Sequence, residues 1–113
     1  MLYRKASLSD SRAVHKLICD MVKRELSYEK FYDIMNEQLQ DRQHYYCLVA
    51  EEDDRIVGVL NMRIERQLRY AGPVAQIMEF AVDAEYRAKG IEEELIEKGR
   101  SIAGDFKALF LES

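Results

Sequence analysis

The sequence predicts an α/β domain in which a mixed β-sheet carries helices on both faces, in the order β-α-α-β-β-β-α-β. Three amphipathic segments with helical spacing of apolar residues lie between runs rich in β-branched and aromatic residues. The chain of 113 residues has 1 proline and no linker-like stretch, which favours a single domain. The last strand–helix–strand unit predicts a parallel pair, because a crossover helix joins parallel strands. The meander before it is expected to be antiparallel.

The N-terminal part of the sequence predicts one strand and two helices. Leu2–Lys5 is the strand, and Ser7 precedes Asp10 by the spacing of a helix-capping box. The apolar face of the first helix is predicted to consist of Ala13, Val14, Leu17, Ile18, Met21 and Val22. Ser27 is the predicted N-cap of the second helix, which ends near residues 40–41. Its inward side chains are predicted to be Phe31, Ile34, Met35 and Leu39.

The C-terminal part predicts a hairpin, a buried strand, a helix and a last strand. Residues 45–50 and 56–68 are the two hairpin strands, and the nearly continuous apolar run 74–82 predicts a strand covered on both faces. The third helix is expected to end at Gly104, which has the residue type of a left-handed C-cap. Residues 108–111 follow as the last strand. The apolar positions of the third helix are Ile91, Leu95, Gly99, Ile102 and Ala103.

Charge and hydropathy exclude several classes of protein. The 17 Lys and Arg against 21 Asp and Glu give a net charge of -4, which argues against general nucleic-acid binding and against binding to anionic membranes. No apolar stretch is long enough to span a bilayer, and charge follows the first three residues before any signal-like apolar run develops. We therefore expect a cytoplasmic protein.

The cysteines and histidines are expected to be structural. Cys19 and Cys47 lie in a predicted helix and a predicted strand, without the dense spacing of a disulfide scaffold. Both are expected to be reduced thiols of the core or surface and not nucleophiles. His15 and His44 are far apart and are interpreted as having no cysteine or carboxylate at metal-ligand spacing. The sequence thus predicts no metal site.

The segment with the strongest chemical signal is 80–91, where a buried strand leads through a short loop into a helix. The loop carries the basic residues Arg87 and Lys89, and Gly90 directly precedes the helix. A helix N-terminus presents unpaired N–H groups and the positive end of the helix dipole, so this arrangement suits a phosphate or pyrophosphate. The same residues also occur as ordinary helix-capping and solubilising features.

This segment resembles the acetyl-CoA-binding segment of the GNAT N-acetyltransferase superfamily. The residues that match its strand end and its Arg-x-x-Gly-x-Gly/Ala loop are Val82, Asp83, Tyr86, Arg87 and Gly90. The opening strand and helix cap at 3–10 and the hairpin at 48–58 are also similar to that family. The resemblance covers nearly the whole chain and agrees with the predicted order of elements.

The resemblance implies acetyl-CoA as co-substrate and a set of residues that bind it. Pantetheine amides would pair with the backbone of Phe80, Ala81 and Val82. The pyrophosphate would rest on the N–H groups of the following loop and helix start, namely Arg87, Ala88, Lys89, Gly90 and Ile91. The loop at 24–28 would border an amine acceptor, either a small molecule or a peptide.

Glu79 is the candidate catalytic base. It is the only acidic residue inside the predicted fourth strand, and burial there would adjust it for accepting a proton from the acceptor amine near neutral pH. A hydrogen-bonded structural carboxylate and a group that orients the substrate are the alternatives.

Two departures from the family pattern affect this interpretation. Glu92 stands where the family has a second Gly or Ala, so its bulk and charge would oppose a pyrophosphate; acidic residues in a first helical turn are also common for purely structural reasons. Compared with the family, residues 1–113 are expected to lack the usual C-terminal helix and last two strands. An exposed last strand would then favour a homodimer that completes the sheet.

Two functional hypotheses follow. The first is an N-acetyltransferase that transfers an acetyl group from acetyl-CoA to a primary amine, with backbone N–H groups polarising the carbonyl and Glu79 or a water accepting the proton. The alternative is a non-catalytic or split module of the same type, with weak or no CoA binding, that acts through dimerisation. Glu92 and the expected lack of the C-terminal elements favour the second hypothesis, whereas Arg87 and Gly90 favour the first. A third reading is an unrelated α/β domain whose loop only caps a helix.

Overall fold

A five-stranded mixed sheet forms the middle layer of the protein in a computed structural model that describes residues 1–112. The strands are β1 (Leu2–Lys5), β2 (Tyr45–Glu52), β3 (Arg55–Gln67), β4 (Gly72–Val82) and β5 (Leu109–Leu111). The helices are α1 (Ser11–Val22), α2 (Tyr28–Gln40) and α3 (Ile91–Asp105). Short 3-10 turns span Leu8–Asp10, Leu68–Tyr70 and Ala84–Lys89. None of the helices within residues 1–112 combines the length and the apolar character needed to cross a membrane.

The strands lie in the order β1-β2-β3-β4-β5, so neighbours in the chain are neighbours in the sheet. The first four strands are antiparallel, and β4 and β5 are parallel. Their pairing covers only Val74 to Gln76 of β4, opposite Leu109 to Leu111. The predicted fold class and the predicted parallel pair are therefore confirmed. The C-terminal half of β4 continues beyond the point where its pairing with β5 stops.

Helices cover both faces of the sheet and divide the core into two layers. The layer under α1 and α2 includes Val14, Leu17, Ile18, Met35, Val49 and Val59. The layer under α3 includes Leu60, Met62, Val82, Ile91, Leu95 and Ala103. Helix α3 approaches the sheet closely because Gly99 faces it: a Cβ atom built there would lie 2.9 Å from Cδ2 of Leu60.

The predicted helix ends are correct for α2 and wrong at two other places. The Ser27 hydroxyl caps α2 by accepting from the Lys30 amide at 3.3 Å. A 3-10 turn stands between Ser7 and α1, although the Asp10 carboxylate still accepts from the Ser7 amide at 2.8 Å as the capping box predicts. Gly104 is not the C-cap of α3: the helix continues to Asp105, and Lys107 adopts the left-handed conformation with φ 55°.

Parts of α1, α2 and β4 that were predicted to be buried are more exposed than the spacing of their apolar residues indicated. Met21 and Val22 at the end of α1 are 38% and 41% exposed, and Ile34 of α2 is 56% exposed. Strand β4 is not covered throughout, because Met78 in its middle is 47% exposed. The register shifts here, with Asn61 opposite Glu79 and Met62 opposite Ile77. This β-bulge leaves Met78 without a partner and changes the direction of the strand.

An ion-pair cluster ties the first turn to the sheet. Arg4 donates from Nη1 and Nη2 to the two carboxylate oxygens of Asp10 at 2.8 and 2.9 Å, and from Nε to Glu51 at 2.8 Å. Asp10 is buried. The hydrogen bond from Arg4 holds the pKa of the Asp10 carboxyl below its ordinary value of 3.8. The carboxylate form of Asp10 therefore stabilises the folded state.

Replacing this buried charge is expected to destabilise the protein. Asp10→Asn should lower the free energy of unfolding at pH 7 by about 2 kcal/mol, because Arg4 loses its bidentate partner. A carboxyl whose pKa is lowered by folding stabilises above its unfolded value and loses that effect as the pH falls through the folded value. Urea denaturation should thus show the difference between the parent and the variant shrinking as the pH falls below the unfolded value of 3.8 toward the folded value.

The control for this experiment is Asp20→Asn. Asp20 pairs with Lys16 at 3.2 Å, but its side chain is 64% exposed. Its replacement should change stability by less than about 0.5 kcal/mol. Equal effects of the two substitutions would contradict a specific role of the buried cluster.

Candidate functional site

A cleft of about 490 Å³ opens between the end of α1 and the C-terminal end of β4. Its lining combines apolar side chains with four charged ones: Leu17, Asp20, Met21, Phe80, Ala81, Val82, Asp83, Ala84, Arg87 and Glu92. The cleft therefore contains the end of β4 and the loop that the sequence singled out. Four of the eight predicted cofactor-binding residues line it: Phe80, Ala81, Val82 and Arg87.

The direction of the main-chain groups of β4 follows from its register. The Asp83 amide donates to the Val57 carbonyl at 2.8 Å, within a register that pairs Val82 with Gly58. Backbone groups alternate in direction along an antiparallel ladder, so those of Ala81 also point to β3. The groups of Phe80 and Val82 point to the opposite edge, where the pairing with β5 has already stopped. The prediction that the backbone of Ala81 pairs with a ligand is thus corrected, because β3 uses its polar groups.

The loop after β4 forms a 3-10 turn that ends at Gly90. Gly90 is left-handed with φ 79°, a conformation that glycine adopts without strain. The first helical hydrogen bond of α3 joins the Glu94 amide to the Gly90 carbonyl at 3.2 Å. The amides of residues 91–93 therefore have no acceptor within the helix. Arg87 leans back over the strand end, where its Nε donates to the Val82 carbonyl at 3.3 Å.

The other four predicted cofactor-binding residues do not line the cleft with their side chains. Ala88, Lys89 and Gly90 are exposed, and the Lys89 ammonium lies 4.9 Å from the centre of the Tyr86 ring. Ile91, the first residue of α3, is 2% exposed and packs in the core layer between α3 and the sheet. Of the two basic residues in the loop, only Arg87 places its charge at the cleft.

Three carboxylates and one cationic side chain line the cleft, which is unfavourable for a polyanion. Asp20 pairs with Lys16 at 3.2 Å, and Asp83 pairs with Arg55 at 3.5 Å. Within residues 1–112, Glu92 has no cationic partner within salt-bridge distance. It is half-buried and contributes to the lining. Glu92 therefore faces the cleft, where its negative charge would repel a pyrophosphate.

A second pocket, of about 220 Å³, lies between α1, α2 and the sheet. Most of its lining is apolar, and Glu79 lies in it together with Gln38 and Asn61. Glu79 directly precedes Phe80 in β4, so consecutive residues of this strand contribute to the two pockets. The second pocket is referred to below as the α2 pocket.

The Glu79 carboxylate belongs to a hydrogen-bonded triad with Asn61 and Gln38. The amide nitrogen of Asn61 donates to Glu79 Oε1 at 2.8 Å and to Gln38 Oε1 at 3.1 Å. Asn61 is buried and Glu79 is half-buried, because Glu79 faces the α2 pocket instead of lying between two closed layers. Asn61 and Gln38 were not among the predicted site residues. The signal in the sequence that could have identified Asn61 is its amide side chain between Leu60 and Met62, in the apolar middle of strand β3.

The second cysteine lies in the same pocket and is chemically inert. Burial, with a contribution from the Glu79 charge, raises the pKa of the Cys47 thiol to about 12. A thiol that stays protonated at neutral pH is a poor nucleophile. This agrees with the prediction that Cys47 is a core thiol.

The prediction that no cysteine lies at metal-ligand spacing from His15 or His44 is wrong. His15 and Cys19 are one helical turn apart in α1, and potential ligand atoms of His15, Cys19 and Glu25 lie within 4.8 Å of one another. His15 Nε2 is 2.8 Å from the Leu26 carbonyl, and the Leu26 amide donates to Cys19 Sγ at 3.5 Å. These contacts attach the loop between α1 and α2 to α1, which accounts for the cluster. The prediction that the chain binds no metal stays a prediction.

The chain is similar to acetyltransferases in sequence and in structure. The model of the acetyltransferase (GNAT) family matches residues 12–113. An aminoalkylphosphonate N-acetyltransferase of Salmonella typhimurium is 30% identical over 93 residues, which are 82% of this chain and 60% of that protein. The chain thus spans less than two thirds of that relative.

Solved structures share the same fold. An aminoglycoside 6'-N-acetyltransferase of Acinetobacter haemolyticus superposes with a TM-score of 0.81 at 20% identity, over 97% of this chain and 77% of the other. A glucosamine-6-phosphate N-acetyltransferase of Arabidopsis thaliana gives 0.82 at 20% identity, over 99% and 82%. The fold agrees with these structures, and the family model covers most of the sequence. The chain therefore belongs to the acetyltransferase (GNAT) family.

Proposed function

We propose that the protein is an N-acetyltransferase that transfers an acetyl group from acetyl-CoA to a primary amine. The observation that carries the proposal is the arrangement at the end of β4. Main-chain groups of Phe80 and Val82 that no neighbouring strand pairs lie at the cleft together with the first amides of α3, and the Glu79 carboxylate lies in the second pocket. Donors suited to a thioester and a phosphate, with a proton acceptor on the same strand, support the proposal.

The residues at the cleft fit the chemistry of acetyl-CoA in part. The Phe80 backbone and the Val82 amide would pair with its amides, and the amides of residues 91–93 with Arg87 would hold its pyrophosphate. Acetyl-CoA supplies an activated thioester when bound. The chain supplies orientation and donors aimed at the carbonyl oxygen, on which charge develops during attack.

Glu79 is proposed as the general base. A bound ammonium first gives one proton to solvent, and the neutral amine nitrogen then forms a bond to the carbonyl carbon. The carbon–sulfur bond breaks and CoA leaves as its thiolate. The proton lost by the nitrogen passes to the Glu79 carboxylate, from which it goes to the thiolate or to solvent. Asn61 holds Oε1 of Glu79 at 2.8 Å, so Oε2 remains for the amine. Gln38 acts as a positioning residue, since it contacts Glu79 only through Asn61.

Calorimetric titration with acetyl-CoA, followed by turnover with a panel of primary amines, tests this proposal. Binding and acetylation of at least one amine are expected. Absence of binding at millimolar acetyl-CoA would overturn the proposal. The proposed setting is the cytoplasm, where both free cysteines would stay reduced.

The second candidate is a binding or assembly module without catalysis, and Glu92 is the observation that favours it. A carboxylate without a cationic partner in the described chain faces the cleft where a pyrophosphate would lie. Such a module would act through a homodimer formed along β5, which stands at the end of the strand order. A monomeric mass at high protein concentration, or turnover of any amine, would contradict it.

The charge of Glu92 is expected to weaken cofactor binding. Glu92→Gln should lower the Kd for acetyl-CoA by about five- to tenfold at low salt, because repulsion of the phosphates is removed while side-chain size is kept. The gain should shrink in high salt.

The matched control is Glu93→Gln, which removes the same charge from the same helical turn at an exposed position outside the cleft lining. It should change the Kd by less than about twofold. An unchanged Kd for Glu92→Gln would show that its carboxylate does not meet the phosphates.

A further inference from the structure

We infer that the α2 pocket selects primary amines with an uncharged apolar body, with the ammonium end at Glu79. The inference rests on the proposed function and adds the class of acceptor. It also separates this chain from its Salmonella relative, whose name states an aminoalkylphosphonate acceptor.

The wall of the α2 pocket is apolar on the sides contributed by both helices. Val14 and Ile18 come from α1, and Phe31, Met35 and Leu39 come from α2. The volume of about 220 Å³ corresponds to about seven water-sized groups. An acceptor the size of hexylamine would fill it and remove apolar surface from water on both sides.

The polar groups of the pocket are concentrated around Glu79. The buried Asn61 amide uses its hydrogens on Glu79 and Gln38, and Asn61 thereby fixes the carboxylate. Within residues 1–112, Oε2 of Glu79 accepts no side-chain hydrogen bond. A half-buried carboxylate with a free oxygen in apolar surroundings attracts an ammonium group strongly. The amine end of the acceptor would therefore lie beside Phe80 and the cofactor cleft.

The pocket offers no cation to an anionic acceptor. Lys5 and Glu79 are the charged residues of the lining. The Lys5 ammonium lies 5.3 Å from the centre of the Tyr46 ring, and Tyr46 packs in the layer on the α3 side of the sheet. The Lys5 side chain therefore lies on the α3 side of the sheet, as does that of its strand partner Leu48, and its ammonium does not enter the pocket. A phosphonate would lose its hydration there without gaining a partner.

The test compares acceptors at fixed acetyl-CoA. From propylamine to hexylamine, kcat/KM should rise by about two- to fourfold per methylene, and 2-aminoethylphosphonate should be at least about tenfold poorer than hexylamine. A flat alkyl series or a preference for the phosphonate would overturn the inference while leaving the proposed function intact.

A substitution at the mouth of the pocket sharpens the test. Ile34 lines the pocket and is 56% exposed, so Ile34→Arg is compatible with folding. It should lower kcat/KM for hexylamine and raise that for 2-aminoethylphosphonate, each by about fivefold. Gln40→Arg adds the same charge at an exposed position of α2 outside the lining and should change neither by more than about twofold. Equal responses of the two variants would contradict the assignment.

Binding without turnover separates the two proposals. Hexylamine should bind the cofactor-free protein in calorimetry, and Ile34→Arg should weaken that binding by about fivefold. If acetyl-CoA fails to bind but hexylamine binds in this way, the proposed function fails and the pocket assignment stands. If acetyl-CoA binds and hexylamine does not, the pocket assignment fails by itself.

Discussion

Replacing Glu79 by glutamine is expected to lower kcat by about 10²- to 10⁴-fold. An amide cannot accept the proton of the attacking amine, yet it keeps the size of the side chain and can still accept from Asn61. Because Glu79 does not line the cofactor cleft, the KM for acetyl-CoA should stay within about twofold. Steady-state kinetics with a saturating amine measures both constants.

Glu65→Gln is the control for this substitution. Glu65 is a half-buried carboxylate of the neighbouring strand β3, pairs with Arg63 at 2.8 Å and lies outside the cofactor cleft and the α2 pocket. Its loss should leave kcat within about twofold. If Glu79→Gln retains more than about a third of the parent kcat, the proton goes to water and Glu79 is not the base.

Replacing Gly99 by valine is expected to lower the free energy of unfolding by about 3 kcal/mol. The Cβ atom would lie 2.9 Å from Cδ2 of Leu60 and 3.5 Å from the Phe110 ring, and the two methyl groups of valine add to the overlap. Leu60 is fully buried in the middle of the sheet, so it has no free volume to move into. Urea denaturation monitored by circular dichroism gives the change.

Gly104→Ala provides a matched comparison in the same helix. No atom of residues 1–112 lies within 4 Å of a Cβ built at Gly104, and this residue is exposed within α3. Alanine there should raise stability by about 0.5–1 kcal/mol, because it loses less backbone entropy on folding. Changes of the same sign for both variants would contradict the close packing of α3 on β3.

The order and type of the elements could be predicted because their signals are local. Helical periodicity identified all three helices, and the Ser27 cap and the 45–68 hairpin were recognisable from neighbouring residues alone. The prediction for Gly104 was wrong for a related reason: glycine permits a left-handed end but does not require one, and the chain turns instead at Lys107.

The candidate site was predictable only in part. The loop from Arg87 to Gly90 is one continuous segment, so its motif was visible in the sequence. Which of its side chains meets the cleft was not visible, because Arg87 turns to the Val82 carbonyl while Lys89 turns to Tyr86. These directions depend on the 3-10 turn that the loop adopts.

The sequence by itself determined the fold class, the parallel final pair, the position of the basic loop before α3 and the acidic residue inside β4. Only the tertiary structure decided that Glu79 shares hydrogen bonds with Asn61, 18 positions away, and through it with Gln38. It also decided that the main-chain groups of Ala81 point to β3, whereas those of Phe80 and Val82 point away from it. The physical reason is that strand register and helix packing bring distant residues together, whereas periodicity and capping act between neighbours.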